Sequence, residues 1–264
     1  MSASCRCVAV ASLQRGQADW GYKTEPMEGA AQGMGGVGKT TAAIALLMDP
    51  DIRRHFRKLV WVSVGQEPDI PELQNSIYFQ LTDKDLPDSA DTDEKIRREM
   101  RKAAQGVAVL LVLDDVWESK YEPPLNCIDI ADTPSKLLVT TRIRGLLKRS
   151  VEMEVGLLSE AAAVELLCTA GDIDLAAGDD AQKERAAAVA RLCGRLALTV
   201  DIAGGMIREE FGGEITEEII ELLREDRGEM LAKRDDTTTD GEGSMTVEER
   251  IISATLRSLK GKQR

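Results

Sequence analysis

Between Lys39 and Val155, short β-branched and aliphatic runs alternate with charged, helix-periodic stretches. The runs at 59–64, 107–113 and 136–140 are apolar on both faces, which is what a strand buried inside a parallel sheet requires. Between them Ile70, Leu73, Ile77 and Leu81 fall on one helical face, and Ile96, Met100, Ala103 and Ala104 on another, as crossover helices do. After about residue 156 the β-branched runs stop. Helical periodicity then marks 158–169, 181–193, 215–223 and 247–259. The expected organisation is an N-terminal segment, 1–28, disordered or foreign to the fold, an α/β domain over 29–155, and a smaller helical subdomain over 156–264. Residues 232–246, acidic and aperiodic, are expected to form a flexible loop within that subdomain.

Composition narrows the partners. The net charge of −12 argues against a nucleic-acid binder, because that affinity comes from Lys and Arg neutralising phosphates. No run approaches the roughly 18 apolar residues of a membrane span. The five cysteines, at 5, 7, 127, 168 and 193, include no C-x-x-C pair, so neither a disulfide framework nor a zinc site is indicated. A reducing, cytoplasmic setting is the expectation.

The chemistry starts at Gly33-Met34-Gly35-Gly36-Val37-Gly38-Lys39-Thr40-Thr41, which satisfies G-x-x-x-x-G-K-[ST]. Glycines let the backbone wrap phosphates with its N–H groups. The following helix adds its positive end, the Lys39 ammonium reaches the β- and γ-phosphates, and the Thr40 hydroxyl meets Mg²⁺. Gly33, Gly35 and Gly38 also fit G-x-G-x-x-G, the dinucleotide-binding pattern. That reading needs an acid ending the second strand, where this chain has Ser63-Val64-Gly65, and it leaves Lys39-Thr40 without a task. The phosphate-loop reading is therefore preferred, and with it a P-loop NTPase fold: a parallel three-layer α/β sheet followed by the helical domain.

A phosphate loop needs an acid at the tip of a buried strand to hold the magnesium shell, and 109–113 runs straight into Asp114-Asp115. Asp114 is the expected metal ligand. Asp115, one residue on and facing elsewhere, is expected to orient or deprotonate the attacking water. The strand at 137–140 ends in Thr140-Thr141-Arg142. Arg142 lies near a γ-phosphate if that strand neighbours the acidic one; otherwise it is an ordinary surface arginine.

Taken in order, GMGGVGKTT (33–41), VWVSV (60–64), LLVLDDVW (110–117) and LLVTTR (137–142) resemble the NB-ARC module of plant-type disease-resistance proteins. Residues 158–167 resemble the opening of its helical subdomain, CGRLALTVDIAGGM (193–206) its GLPLA segment, and 252–259 its next helix. The resemblance implies an ADP/ATP switch in which ADP holds a closed form and ATP opens the protein for oligomerisation and immune signalling, with slow hydrolysis as a reset. Gly33, Gly35, Gly36, Val37, Gly38, Lys39, Thr40 and Thr41 would hold the nucleotide, with Leu196 and Ala197 closing over it. Thr40 and Asp114 would hold Mg²⁺, and Asp115 and Arg142 would serve hydrolysis. A homo-oligomer or signalling proteins would be the partners. A non-hydrolysing scaffold, or a metabolic P-loop kinase or ATPase, are the alternatives.

Several features depart from the family pattern. The segment feeding the loop, Glu28-Gly29-Ala30-Ala31-Gln32, is poor strand material, so the first strand is expected to be missing. Residues 7–13 are more apolar but lie about twenty positions too early, which suggests a truncated or misjoined N-terminus. Ala197 replaces the proline of GLPLA and Arg195 the preceding glycine, so nucleotide closure is expected to be weaker. The winged-helix subdomain, its histidine motif and leucine-rich repeats fall outside this sequence. His55 is expected to face solvent from a polar stretch, Trp61 and Trp117 to pack on the core, and Cys168 and Cys193 to act as buried small hydrophobes.

Overall fold

The expected aliphatic runs all form strands, and the one segment judged unfit to be a strand joins them. In this computed structural model, residues 28–128, 134–147, 150–175 and 178–224 are described. The N-terminal segment, the acidic loop at 232–246 and the helices expected at 247–259 and 252–259 therefore lie outside the described residues. Strands β1 (Glu28–Gln32), β2 (Lys58–Gly65), β3 (Val109–Val116), β4 (Lys136–Thr141) and β5 (Val151–Glu154) make a five-stranded sheet in the order β2-β3-β4-β1-β5. Every pairing in it is parallel.

The missing first strand is thus a wrong expectation. β1 runs between β4 and β5, pairing Gly29 with Leu138 on one side and with Val151 on the other. Its backbone groups are used on both edges, which compensates for the low intrinsic propensity of Glu, Gly, Ala and Gln. Small side chains also suit a strand covered on both faces: Ala30 is fully buried and Ala31 nearly so. β5 and the short helix at 50–55 are further elements that periodicity did not mark, being too short and too polar.

Helix α1 (Lys39–Leu47) follows the phosphate loop and packs on β3 and β4 through Ala42, Ala43 and Ala45. Helix α2 (Pro50–His55) is capped by Asp49, whose carboxylate accepts from the Asp51 and Ile52 N–H groups. His55 is exposed there, as expected. Helices α3 (Ile70–Thr82) and α4 (Asp93–Ala104) cover the sheet from the side of β2 and β3, each opened by a side-chain cap, Asp69 and Thr92. Val60, Val62, Ile77, Met100, Leu111, Leu113, Leu137 and Val139 share their core, together with Cys127.

The chain divides into two compact units, and the sheet with its covering helices is the first. The second is helical and takes in residues 36–38 and 156 onward. Its helices are α5 (Glu160–Gly171), α6 (Asp180–Leu192) and α7 (Ala197–Phe211), followed by helical residues 217–224. Leu167, Val189, Val200, Ile207 and Ile219 form its core. α5 and α7 approach closely at glycines: a Cβ on Gly204 would fall 2.5 Å from the Ala170 Cβ. The GLPLA-like stretch thus starts a 15-residue helix, with Leu196 as its cap residue and Ala197 as its first. Within this same unit the Leu198 N–H donates to the Gly36 carbonyl at 2.9 Å.

Candidate nucleotide-binding site

β1 ends at Gln32 and the loop 33–38 delivers the chain to the first turn of α1, so the loop sits at the carboxyl end of the sheet, where parallel α/β folds bind ligands. Gly36 (φ 70°) and Gly38 (φ 102°) hold backbone conformations that a side chain would strain. Val37 is buried and anchors the loop. Lys39 is also buried, and its Nζ donates to the carbonyl oxygens of Gly33 (2.8 Å) and Met34 (2.7 Å), so the ammonium lies across the loop it follows.

β4 separates β1 from β3 and links them chemically. Asp114, 5% exposed at the tip of β3, accepts on a single oxygen, Oδ1, from Thr140 Oγ1 (2.6 Å) and from Thr40 Oγ1 (2.9 Å). One carboxylate thereby ties α1, β3 and β4 together. Thr140 Oγ1 in turn accepts from the Asp115 N–H at 2.9 Å. The ladder between β3 and β4 shifts register between Leu113 and Val116, and Asp115 takes a left-handed conformation at φ 55°. Such an outlier in a non-glycine residue persists only where its surroundings hold it. The bulge frees the two neighbouring aspartates from simple alternation and gives each a separate set of partners.

Asp115 is half-buried. Its Oδ2 accepts from the Trp117 indole N–H at 3.1 Å, and its Oδ1 lies 4.0 Å from Arg142 Nε. The Arg142 guanidinium carbon stands 5.2 Å from the centroid of the Trp117 ring, a cation–π arrangement. β4 does neighbour β3, which meets the condition set for Arg142 from sequence.

Gly33, Gly35, Lys39, Thr40, Thr41, Asp114, Asp115 and Arg142 belong to the sheet unit and lie at or just beyond the carboxyl ends of β1, β3 and β4. Leu196 and Ala197 belong to the helical unit described above. Sequence reading missed two residues here. Sequence marks Thr140 only as part of a strand end; its full burial and its bond to Asp114 arise from strand order and have no signal in the local run of residues. Trp117 was assigned to the core, whereas it is half-buried and its polar edge is committed to Asp115. Trp61, by contrast, is a half-buried residue of β2 whose main chain bonds the Gln80 side chain.

Among the described residues, Cys127, Cys168 and Cys193 take no part. Burial pushes the Cys127 and Cys193 thiols up to about 12, and half-burial raises Cys168, so the thiolate needed for nucleophilic chemistry is suppressed. A groove lined by Arg97, Arg98, Arg101, Cys127 and Ser135 lies at the opposite, amino end of the strands, where Ser135 Oγ accepts from the Val109 N–H.

The NB-ARC domain family matches residues 25–173, more than half of the chain. The chain belongs to the NB-ARC family. A disease resistance protein of Arabidopsis thaliana is 28% identical over 188 residues, covering 66% of this chain and 22% of that protein. The disease resistance protein RGA2 of Solanum bulbocastanum is 29% identical over 114 residues, or 42% of this chain and 12% of that protein. This chain thus spans less than a quarter of the length of these curated relatives. Among solved structures, a signal transduction ATPase with numerous domains from Pyrococcus horikoshii superposes with a TM-score of 0.52 at 14% identity, over 95% of this chain and 38% of that one. At that identity the likeness shows the fold alone, a parallel α/β sheet with a phosphate loop. This NB-ARC domain therefore carries a nucleotide-binding architecture, with its loop at the expected end of the sheet. Among the described residues, no helix is long and apolar enough to cross a membrane.

Proposed function

We propose that this NB-ARC domain is an adenine-nucleotide switch of defence signalling, binding ADP or ATP with Mg²⁺ at the loop 33–41 and resetting itself by slow hydrolysis. The observation that carries the reading is the junction of Thr40, Asp114 and Thr140, a hydroxyl–carboxylate–hydroxyl chain held at the mouth of the phosphate loop. The disease resistance proteins among the relatives supply the signalling context.

The donor set fits a hard divalent cation. Thr40 Oγ1 and Asp114 Oδ1, 2.9 Å apart, are both oxygens, the ligands Mg²⁺ selects. Among the described residues no group of three or more His, Cys, Asp or Glu is arranged to hold a metal alone, which suits an ion shared with phosphate and water oxygens. When bound, Mg²⁺ would neutralise charge on the phosphate oxygens.

The rest follows from the chain's own groups. Lys39, now satisfied by two loop carbonyls, exchanges them for phosphate oxygens, and the loop N–H groups with the α1 amino end receive the remaining charge. Asp115 stands apart from the metal pair and serves the attacking water, while Arg142 reads the third phosphate. A switch needs different affinity for its two arrangements rather than fast turnover, so an arginine that distinguishes ATP from ADP is its central part. Oligomerisation and engagement of signalling proteins are the proposed output.

Calorimetric titration with ADP and with ATP, each with Mg²⁺, tests the site. Lys39→Ala should weaken both by about a hundredfold or more, since it removes charge-assisted bonds to phosphate. Equal affinity in wild type and variant would refute it.

A further inference from the structure

Trp117 is the residue the sequence reading left in the core, and its surroundings are not those of a packing residue. Trp117 is half-buried, and it is not among the described residues packed in or against the core built by its strand neighbours Val109, Leu111, Leu113 and Val116. An indole N–H is a donor with a single proton, and here that proton goes to Asp115 Oδ2 at 3.1 Å. The main chain of Asp115 is pinned independently, by its left-handed φ and by the N–H bond to Thr140 Oγ1. Of the two carboxylate oxygens, one is therefore held by the indole and the other faces Arg142 at 4.0 Å. The same indole ring carries the Arg142 guanidinium on its face. A single side chain touches both groups to which hydrolysis is assigned.

We propose that Trp117 is a positioning residue. Its N–H fixes the Asp115 carboxylate in the orientation that serves water, and its ring keeps Arg142 beside that carboxylate until a third phosphate draws the guanidinium away. This rests on the nucleotide-switch reading above and deepens it. With ADP the arginine stays on the ring and occupies the free carboxylate oxygen. With ATP the arginine leaves, and Oδ1 becomes available to water. The water oxygen then bonds to the γ-phosphorus as the bond from that phosphorus to the β,γ-bridging oxygen breaks. The electron pair stays on the ADP oxygen, and the water proton passes to Asp115 and on to solvent. The indole bond does not itself react; it removes the rotational freedom of the carboxylate.

The test compares wild type with Trp117→Phe, which keeps a ring under Arg142 but lacks the N–H. Three quantities are read: ADP and ATP affinity by calorimetry, single-turnover hydrolysis, and the indole emission of wild type minus that of the variant. Trp117→Phe should leave both affinities within about twofold and slow turnover about tenfold, the loss expected for one hydrogen bond to a charged group. The difference emission should change on adding a non-hydrolysable ATP analogue and not on adding ADP. Wild-type turnover in Trp117→Phe, or an equal emission response to both nucleotides, would overturn the positioning role. So would a wild type that binds ATP and never cleaves it, although the binding reading would then stand. Failure of wild type to bind either nucleotide would instead bring down the switch reading itself. If Trp117→Phe does not fold, Asp115→Ala read on the native indole replaces it. Its emission in nucleotide-free protein should differ from wild type, and identity would overturn the proposal.

Discussion

β1 and β3 occupy comparable places and are built from opposite materials. Both are parallel strands paired on two sides, and both deliver site residues at their carboxyl ends. β3 reads Val-Leu-Leu-Val-Leu-Asp-Asp-Val, and its first six residues are buried. β1 reads Glu-Gly-Ala-Ala-Gln and has no side chain larger than alanine between its polar ends. β3 is a strand because its side chains fill the core on both faces. β1 is a strand because its backbone is bonded to β4 and β5, and because its alanines are small enough for both faces to be covered, Ala30 fully and Ala31 nearly so. Strand-forming tendency in a buried sheet is thus a property of the neighbourhood as much as of the residue.

The comparison breaks if the two strands respond alike to changes of side-chain volume. Leu111→Ala, at a fully buried position of β3, should cost about 2–5 kcal/mol through lost burial and a cavity, measured as a lower urea midpoint at unchanged slope. Ala30→Leu in β1 should cost about 1–3 kcal/mol for the opposite reason, overpacking between layers already in contact. If Ala30→Leu were neutral, β1 would be loosely held and the tight-closure account would be wrong.

A smaller effect sharpens the contrast between core and site. The folded-state pKa of Cys127 and of Cys193 is raised from 9.0 to about 12, so the folded chain retains protons the unfolded chain gives up. Stability from this source is complete below pH 9 and declines as pH rises from about 9 toward about 12. A denaturation series across that range should show the fall, and Cys127→Ala with Cys193→Ala should reduce its steepness. Alkylation of either thiol at neutral pH should follow global unfolding; rapid labelling of the native protein would contradict their burial.

Much of the sheet was legible in the chain. A strand buried on both faces must be apolar at consecutive positions, so β2, β3 and β4 announce themselves, and a glycine-rich loop before Lys39-Thr40 has few other uses. Helices α3 and α4 show through the 3.6-residue spacing of Ile70, Leu73, Ile77 and Leu81 and of Ile96 and Met100. β1 was not legible, because what makes it a strand resides in Leu137–Thr141 and Val151–Glu154, more than a hundred residues away.

The site divides in the same way. The sequence by itself determined which residue types stand at the carboxyl end of the sheet: glycines, Lys39, Thr40, two aspartates and Arg142. Each follows its strand or loop directly along the chain, so local order suffices to place it. The tertiary structure decided which of them meet. Strand order put β4 between the loop and the acidic strand, and so brought Thr140 onto Asp114. The bulge after Leu113 separated the two aspartates and turned the second toward Trp117 and Arg142. Those contacts depend on strand order, register and backbone twist, which are fixed by packing the whole sheet and by no local run of residues.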